Sequence, residues 1–276
     1  MEYVDDAILL TVAKAGKGTL VLEVLTANHG RQRCVSALKG GDQPTLLPGS
    51  FLSIKCVGDD LGKPVQAELL RITGGLIINS DQDIALAALT SSKDLLVSLV
   101  PIQEPVPAIF EAMTGLMTSL VNEDHRWPYH YAMLEFALLA EAGYLEGVRR
   151  CMSAFRHGDA IYVSPRTGAF VTREEGGVFI DKLIPLPGFL LGGKNTNLPA
   201  VRQGFALTAT LLQRFALKGD DQALPQTRAI LEAALEQVTS LPAEPAVATP
   251  MEDAETRRRR MEAMRPLMVA SAGSGQ

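Results

Sequence analysis

The strongest constraint on the fold is a change in hydrophobic periodicity near residue 79 of this 276-residue chain. Before that point, short runs of alternating apolar residues are separated by Gly, Pro, Asn and Asp, which is typical of β-strands. After it, apolar residues recur every third or fourth position, which is typical of amphipathic helices. The two periods in succession predict an α+β protein with separate domains at residues 1–78 and 79–241.

Five strand-like runs occupy residues 1–78. They read AILLTVA, TLVLEVLT, RQRCVSAL, FLSIKCVG and VQAELLRI. In the second run, Leu20, Leu22 and Val24 fall on one face, as expected of a strand with one buried side. Short strands joined by turns at this spacing predict a small closed barrel or a sandwich.

The region 79–241 predicts a helical bundle. Helical patterns begin after Ser80 or Asp81, after the Pro105/Pro107 pair and at Pro128, and others cover about 198–217 and 227–241. Residues 160–172 are an exception, because two β-type runs flank Ser-Pro-Arg-Thr-Gly and predict a hairpin. Residues 242–276 are rich in Pro, Ala and small residues and predict a flexible tail.

Composition limits the cellular context. The net charge of -5 argues against a wholly basic nucleic-acid binder, although clustering of cations matters more than their sum. Three cysteines are too few for a disulfide framework or a four-thiolate zinc site, which fits a reducing compartment. We expect a cytoplasmic protein with no membrane segment, because the opening MEYVDDAILL is acidic and no apolar run reaches about 18 residues.

Enzyme motifs are weak in this sequence. The run GFLLGGKN (188–195) approaches a phosphate-binding loop, but Asn195 replaces the hydroxyl that would bind Mg²⁺. His125 and His130 lack the spacing of metal ligands. Glu135 could be a buried carboxylate with a function, but the polar side of its helix is the preferred position. The sequence therefore predicts a protein that is not an enzyme and needs no cofactor or metal.

Cations cluster after an Asn-His-Gly turn. On a strand period of two, Arg31, Arg33 and Lys39 project from one face, and Lys14 and Lys17 flank the preceding turn. Small five-stranded barrels bind single-stranded nucleic acid through such cationic rims. A solvated strand edge explains the same charges, so both interpretations stay open on the residues alone.

Two further features bear on nucleic-acid binding. Only Tyr3 and Phe51 in the first domain could stack on bases. In the tail, Arg257–Arg260 form a run that could contact phosphate, but acidic residues on both sides offset its charge. Whether this run contacts DNA or lies on a solvated helix stays open.

The segment DAILLTVAKAGKGTLVLEVLTANHGRQRCVSALKGG resembles the opening of the bacterial recombination mediator family RecO. That family has two strands around a glycine-containing turn, then HGR and a later KG, which here are His29–Arg31 and Lys39–Gly40. The resemblance continues through LLPGSFLSI, WPYHYAMLEFALLAEAGYLEGVRRC, IYVSPRTGAFVTREEG and LTATLLQRF. It covers most of residues 5–235.

The resemblance implies an N-terminal OB-fold followed by a helical domain. It also implies binding of single- and double-stranded DNA, annealing of complementary strands, and help in loading recombinase onto strands coated by single-strand-binding protein. The implied partners are RecR and the acidic C-terminal tail of that coating protein. Arg202 and Arg214 are candidates for binding the tail by their chemistry. The alternative is an interaction scaffold that works through protein partners and binds DNA weakly.

Two departures from the family change what we expect. Many members bind zinc through four cysteines in the helical domain, whereas only Cys151 occupies such a position here, so we expect no zinc. The loop after KGG is usually long and basic, but here it is the short, acid-containing DQPT (42–45). This leaves more of the DNA binding to RecR or to the tail.

Overall fold

The structure is a computed structural model that describes residues 2–16, 18–37, 46–58, 63–73, 83–145, 148–217 and 223–241. Two compact units divide the chain. Among the described residues, the first holds those up to Leu89 together with Pro101–Glu123, and the second holds Thr90–Val100 and residues 124–241. The domain boundary predicted at residue 78 and the flexible tail predicted at 242–276 lie outside the described residues.

The first unit contains a closed five-stranded barrel. Its strands are β1 (Glu2–Lys14), β2 (Thr19–Thr26), β3 (Gly30–Ala37), β4 (Phe51–Val57) and β5 (Val65–Thr73). They pair in the order β1-β2-β3-β5-β4, and every pair is antiparallel except β3 with β5. The predicted OB-type barrel is thereby confirmed and the sandwich alternative is wrong.

Alternate residues of each strand fill the barrel interior. Leu20, Leu22 and Val24, the predicted buried face of β2, pack with Cys34 and Cys56 in this core. Because successive side chains of a strand point to opposite sides, the pleat decides which residues enter this core. The outward positions of β2 and β3 therefore define the surface on which binding residues can lie.

Helices account for most of the remaining described chain. They are α1 (Asp83–Leu99), α2 (Pro107–Val121), α3 (Trp127–Glu141), α4 (Val148–Arg156), α5 (Arg173–Gly176), α6 (Leu198–Leu211) and α7 (Gln226–Gln237). Ile109, Met113 and Leu116 recur along one side of α2 and are buried. The longer predicted helices are confirmed, whereas α4 and α5 were missed because both are short and rich in charged residues. No described helix is long and apolar enough to cross a membrane.

The predicted hairpin is confirmed in the second unit. Strands β6 (Ile161–Val163) and β7 (Phe170–Thr172) pair in antiparallel fashion, and β8 (Ile184–Pro185) adds to the other edge of β6. The phosphate-loop-like run forms a short 3-10 helix (Gly188–Leu191) whose Phe189, Leu190 and Leu191 are buried. Its apolar residues therefore belong to the core, which agrees with its rejection as a nucleotide site.

A buried ion pair joins three helices of the second unit. Glu135 of α3 is fully buried, so its predicted place on the polar side of the helix is wrong. Its carboxylate accepts hydrogen bonds from Arg228 of α7, at 2.7 Å from Nε and 3.0 Å from Nη2, and from Thr208 of α6 at 2.5 Å. The Arg228 guanidinium also lies 4.3 Å from the ring centroid of Phe205. Each charge is thus compensated inside the core.

Replacing Arg228 tests this pair. Arg228→Ala should lower the free energy of unfolding by about 3–5 kcal/mol, because it leaves Glu135 buried without a counter-charge. Urea denaturation followed by the fluorescence of Trp127, the sole tryptophan, which is buried in α3, measures the change. The double variant Arg228→Met with Glu135→Met should recover most of the loss. A double variant as unstable as Arg228→Ala would contradict the assignment.

Candidate nucleic-acid interface

The outward face of β2 and β3 is the surface that five-stranded barrels of this kind use to bind nucleic acid. Register places Thr19 opposite Ala37, Val21 opposite Val35, Glu23 opposite Arg33, and Leu25 opposite Arg31. Val21 is 38% exposed and Arg33 is exposed, so this face is apolar at one end and charged at the other.

Arg31 lies on this strand but does not face solvent. Its Nη1 is 2.6 Å from Oε1 of Glu23, and the residue is 6% exposed. The connection into α2 covers it, because Ile102 forms a β-bridge with Arg31 and the backbone N–H of Gln103 donates to its carbonyl at 2.8 Å. The burial removes Arg31 from the surface predicted for phosphate, and its charge neutralises Glu23 instead.

Gly30 explains how the connection comes so close. Its φ is +68°, and a Cβ at this position would lie 1.7 Å from the carbonyl oxygen of Glu104. Only a residue without a side chain tolerates both the left-handed backbone and the contact. The glycine of the His-Gly-Arg sequence is therefore required for packing against the segment that buries Arg31.

The turn between β2 and β3 is held by a buried carboxylate. Asp5 accepts hydrogen bonds from the backbone of Asp6 at 2.9 Å, from Asn28 at 3.0 Å (backbone) and 2.8 Å (Nδ2), and from Nδ1 of His29 at 2.7 Å. Because an ionised carboxylate only accepts, Nδ1 of His29 carries the proton. These contacts fix the turn that leads into β3, where Arg33 is the exposed cation of the described residues.

Tyr3 does not offer a free ring for stacking on bases. It stacks on His29 with ring centroids 3.7 Å apart and packs against the barrel core. Burial, aided by the neighbouring Cys56 thiol, raises the pKa of its hydroxyl. Phe51 is half-buried.

Arg33 and Lys14 are the predicted DNA-binding residues that the structure places at the surface. Both are exposed, Arg33 in the middle of β3 and Lys14 at the end of β1 beside the turn into β2. Lys17 and Lys39 lie outside the described residues. Since Arg31 satisfies Glu23, the charge of Arg33 is available to a ligand even though Glu23 lies opposite it in the ladder.

Comparison with known proteins identifies the family. The family model described as "Recombination protein O C terminal" matches residues 83–237. The chain belongs to the RecO family. Proteins named DNA repair protein RecO are similar over most of its length. The protein from Cereibacter sphaeroides is 35% identical over 238 residues, covering 84% of this chain and 97% of the relative. The Chelativorans protein is 32% identical and the alignment covers 85% of this chain and 96% of the relative. The Rhodospirillum centenum protein is 34% identical and the alignment covers 83% of this chain and 93% of the relative.

The described residues offer few ligands for a metal site of the kind expected of many family members. Cys151 is a buried free thiol in α4, and Cys34 and Cys56 are buried free thiols in the barrel. Among the described residues, no group of three or more His, Cys, Asp or Glu could hold a metal ion. Burial next to Arg126 lowers the pKa of His130 to about 4, so its imidazole is neutral at physiological pH.

The predicted partner-binding arginines differ in role. Nη2 of Arg202 donates to the carbonyls of Leu235, Glu236 and Val238 at 3.1–3.3 Å. It therefore satisfies the C-terminal carbonyls of α7, where a cation is also favoured by the helix dipole. Arg214 is exposed in the π-helical turn (Leu212–Ala216) that extends α6.

The two arginines on β3 should differ in their effect on stability. Arg31→Ala should lower the local stability of the barrel by about 2 kcal/mol, because it leaves the partly buried Glu23 without its charged partner. Arg33→Ala, at an exposed position of the same strand, should change it by less than about 0.5 kcal/mol. Native-state amide exchange of β2 and β3 measures both, and equal effects would contradict the structural role of Arg31.

Proposed function

We propose that this chain acts in DNA repair as a recombination mediator and not as an enzyme. It binds single- and double-stranded DNA, anneals complementary strands, and helps to load recombinase onto strands coated by single-strand-binding protein. The observation that carries the proposal is the β2–β3 face of the barrel, where Arg33 is exposed and Glu23 is neutralised by Arg31, with Lys14 exposed at the end of β1. Membership of the RecO family supports it.

The electrostatics of this face favour phosphate despite the acidic chain. An unpaired Glu23 opposite Arg33 would cancel the attraction of Arg33 for a phosphate. The Arg31 guanidinium neutralises Glu23, so the attraction of Arg33 for a phosphate is not cancelled. Val21 and Val35, side by side on the same face, add an apolar surface for sugars and bases, although without the gain of an aromatic stack.

The small number of exposed cations on this face argues for partners. With Arg31 buried, intrinsic affinity for DNA rests on Arg33, Lys14 and residues outside the described part of the chain. We propose RecR and the C-terminal tail of single-strand-binding protein as the partners that complete binding, with activity at the bacterial nucleoid. Arg214, exposed in the turn that extends α6, and Arg202, which also binds the end of α7, are the candidates for the acidic tail.

The second candidate function is a scaffold that touches DNA weakly and acts through proteins. The burial of Arg31 and the net charge of -5 favour it. Fluorescence anisotropy with a labelled oligonucleotide separates the two. Binding by the chain alone at moderate salt supports the mediator that contacts DNA directly, whereas binding that needs RecR supports the scaffold.

Arg33→Ala tests the interface directly. Loss of one phosphate contact should weaken binding to single strands of any sequence and reduce the slope of log affinity against log salt by about 0.7. The matched control is Arg71→Ala, which removes an exposed arginine from β5 of the same barrel. Anisotropy titrations at several salt concentrations measure the slopes. An unchanged slope for Arg33→Ala, or equal losses for both variants, would exclude the β2–β3 face.

A further inference from the structure

A short turn of the second unit exposes two apolar side chains. Val178 is 89% exposed and Phe179 is 60% exposed, and they are neighbours in the 3-10 helix Gly177–Lys182. A valine that keeps so much of its surface in water protrudes from the molecule. Single exposed apolar residues are common on proteins, but two neighbours on one protruding turn form a patch of the kind used for protein contacts.

The helix α5 that precedes this turn is capped at both ends. The hydroxyl of Thr172 accepts the backbone N–H of Glu175 at 3.3 Å, and the Glu175 carboxylate accepts the backbone N–H of Thr172 at 2.9 Å. These two bonds form a capping box. At the other end, Gly177 has a φ of +46° and its N–H donates to the carbonyl of Arg173. A turn fixed in this way loses little conformational entropy when it binds a partner.

Packing around Gly176 determines which side chains of the turn face solvent. A Cβ on this buried glycine would lie 2.9 Å from Cδ1 of Ile180 and 2.9 Å from Cδ1 of Leu183. The backbone N–H of Leu183 donates to the carbonyl of Ile180 at 3.1 Å. Ile180 and Leu183 are therefore held against α5 and are half-buried, whereas Val178 and Phe179 remain exposed.

Exposed acidic residues lie on both sides of the apolar pair in the sequence. Glu174 of α5 and Asp181 of the 3-10 helix are both exposed. Nη2 of Arg173 donates to the hydroxyl of Tyr162 at 3.1 Å, which ties this cation to β6. Carboxylates beside an apolar pair repel the phosphates of DNA and of anionic lipids and attract a surface that carries cations.

The ring of Phe179 already attracts a cation of its own chain. Nζ of Lys182 lies 5.8 Å from the centroid of this ring. The negative face of an aromatic ring binds the guanidinium of arginine more often than the ammonium of lysine. An arginine of a partner can therefore take the place of Lys182 on the ring.

We propose that the turn carrying Val178 and Phe179 binds a partner protein that presents an apolar pocket with arginine or lysine side chains at its edge. The partner surface is concave because the turn protrudes. Val178 and Phe179 enter the pocket, and the cations at its edge pair with Glu174 and Asp181. The turn belongs to the second unit and shares no residue with the DNA contact proposed around Arg33, so the two contacts are tested separately.

The test uses the full chain with the photo-crosslinker p-benzoylphenylalanine in place of Phe179, expressed in the bacterium of origin. Irradiation should link position 179 to another protein, which mass spectrometry identifies. Capture alone does not support the proposal, so the linked protein is purified and its affinity for the chain is measured by titration calorimetry. Val178→Asp and Phe179→Asp should each weaken binding by about tenfold or more. Reversal of both acids, Glu174→Lys with Asp181→Lys, should weaken it by a similar factor.

Matched controls separate this contact from general changes of the surface. Ile230→Asp replaces an apolar residue of α7 in the same unit that is 45% exposed, and it should leave the affinity for the partner unchanged. Lys182→Ala should not weaken binding, because the partner's cation replaces Lys182 on the ring of Phe179. Thermal melting should be the same for all these variants, since each changes an exposed side chain.

Several results would overturn the proposal. The absence of a crosslinked protein would do so, as would a partner whose affinity is insensitive to Val178→Asp and Phe179→Asp or to reversal of the two acids. Crosslinking to DNA, to the acidic tail of single-strand-binding protein or to a second copy of the chain would exclude the cationic partner. Phe179→Asp should leave the affinity for an oligonucleotide unchanged, so failure of this proposal is distinct from failure of the DNA contact.

Discussion

The ion pair between Arg31 and Glu23 sets the charge of the outward β2–β3 face. It forms because Arg31 lies diagonally across the β2–β3 ladder from Glu23 and because Gly30 lets the connection to α2 approach and cover the arginine. A pair shielded from solvent is held more strongly than a surface pair, so the neutralisation of Glu23 persists at moderate salt. Arg33 is then the exposed charge of this face, beside an acid that already has a partner.

Periodicity was enough to predict the elements but not the roles of charged residues. Strand alternation and helical stripes depend on neighbours a few positions apart, so the barrel, the hairpin and the longer helices were all predicted. The roles of Arg31, Glu135 and Arg202 depend on contacts with segments far along the chain. Glu135 meets Arg228 and Arg202 meets the end of α7. An isolated acid within an apolar helix, as at Glu135, is the signal that could have indicated a buried pair.

The same argument explains why the structure exposes fewer of the predicted cations than the sequence suggests. The sequence counts each arginine as a surface charge, yet the fold places Arg31 and Arg228 in buried ion pairs and Arg202 on the end of a helix. These side chains stabilise strands and helices, so their charges contribute less to the binding of a ligand. The predicted alternation places Arg31 and Arg33 on one face, but it could not show that a later segment covers Arg31.

Antiparallel pairing of β2 with β3 runs along the whole of both strands and satisfies their shared edge, so their outward face can recognise a ligand only through side chains. The outward pairs are Val21 with Val35 and Glu23 with Arg33. Because the connection to α2 covers Arg31, Arg33 is the exposed cation of the described part of β3. The strand pleat thus sets which side chains share the face, and a segment far along the chain decides which of their charges stay exposed.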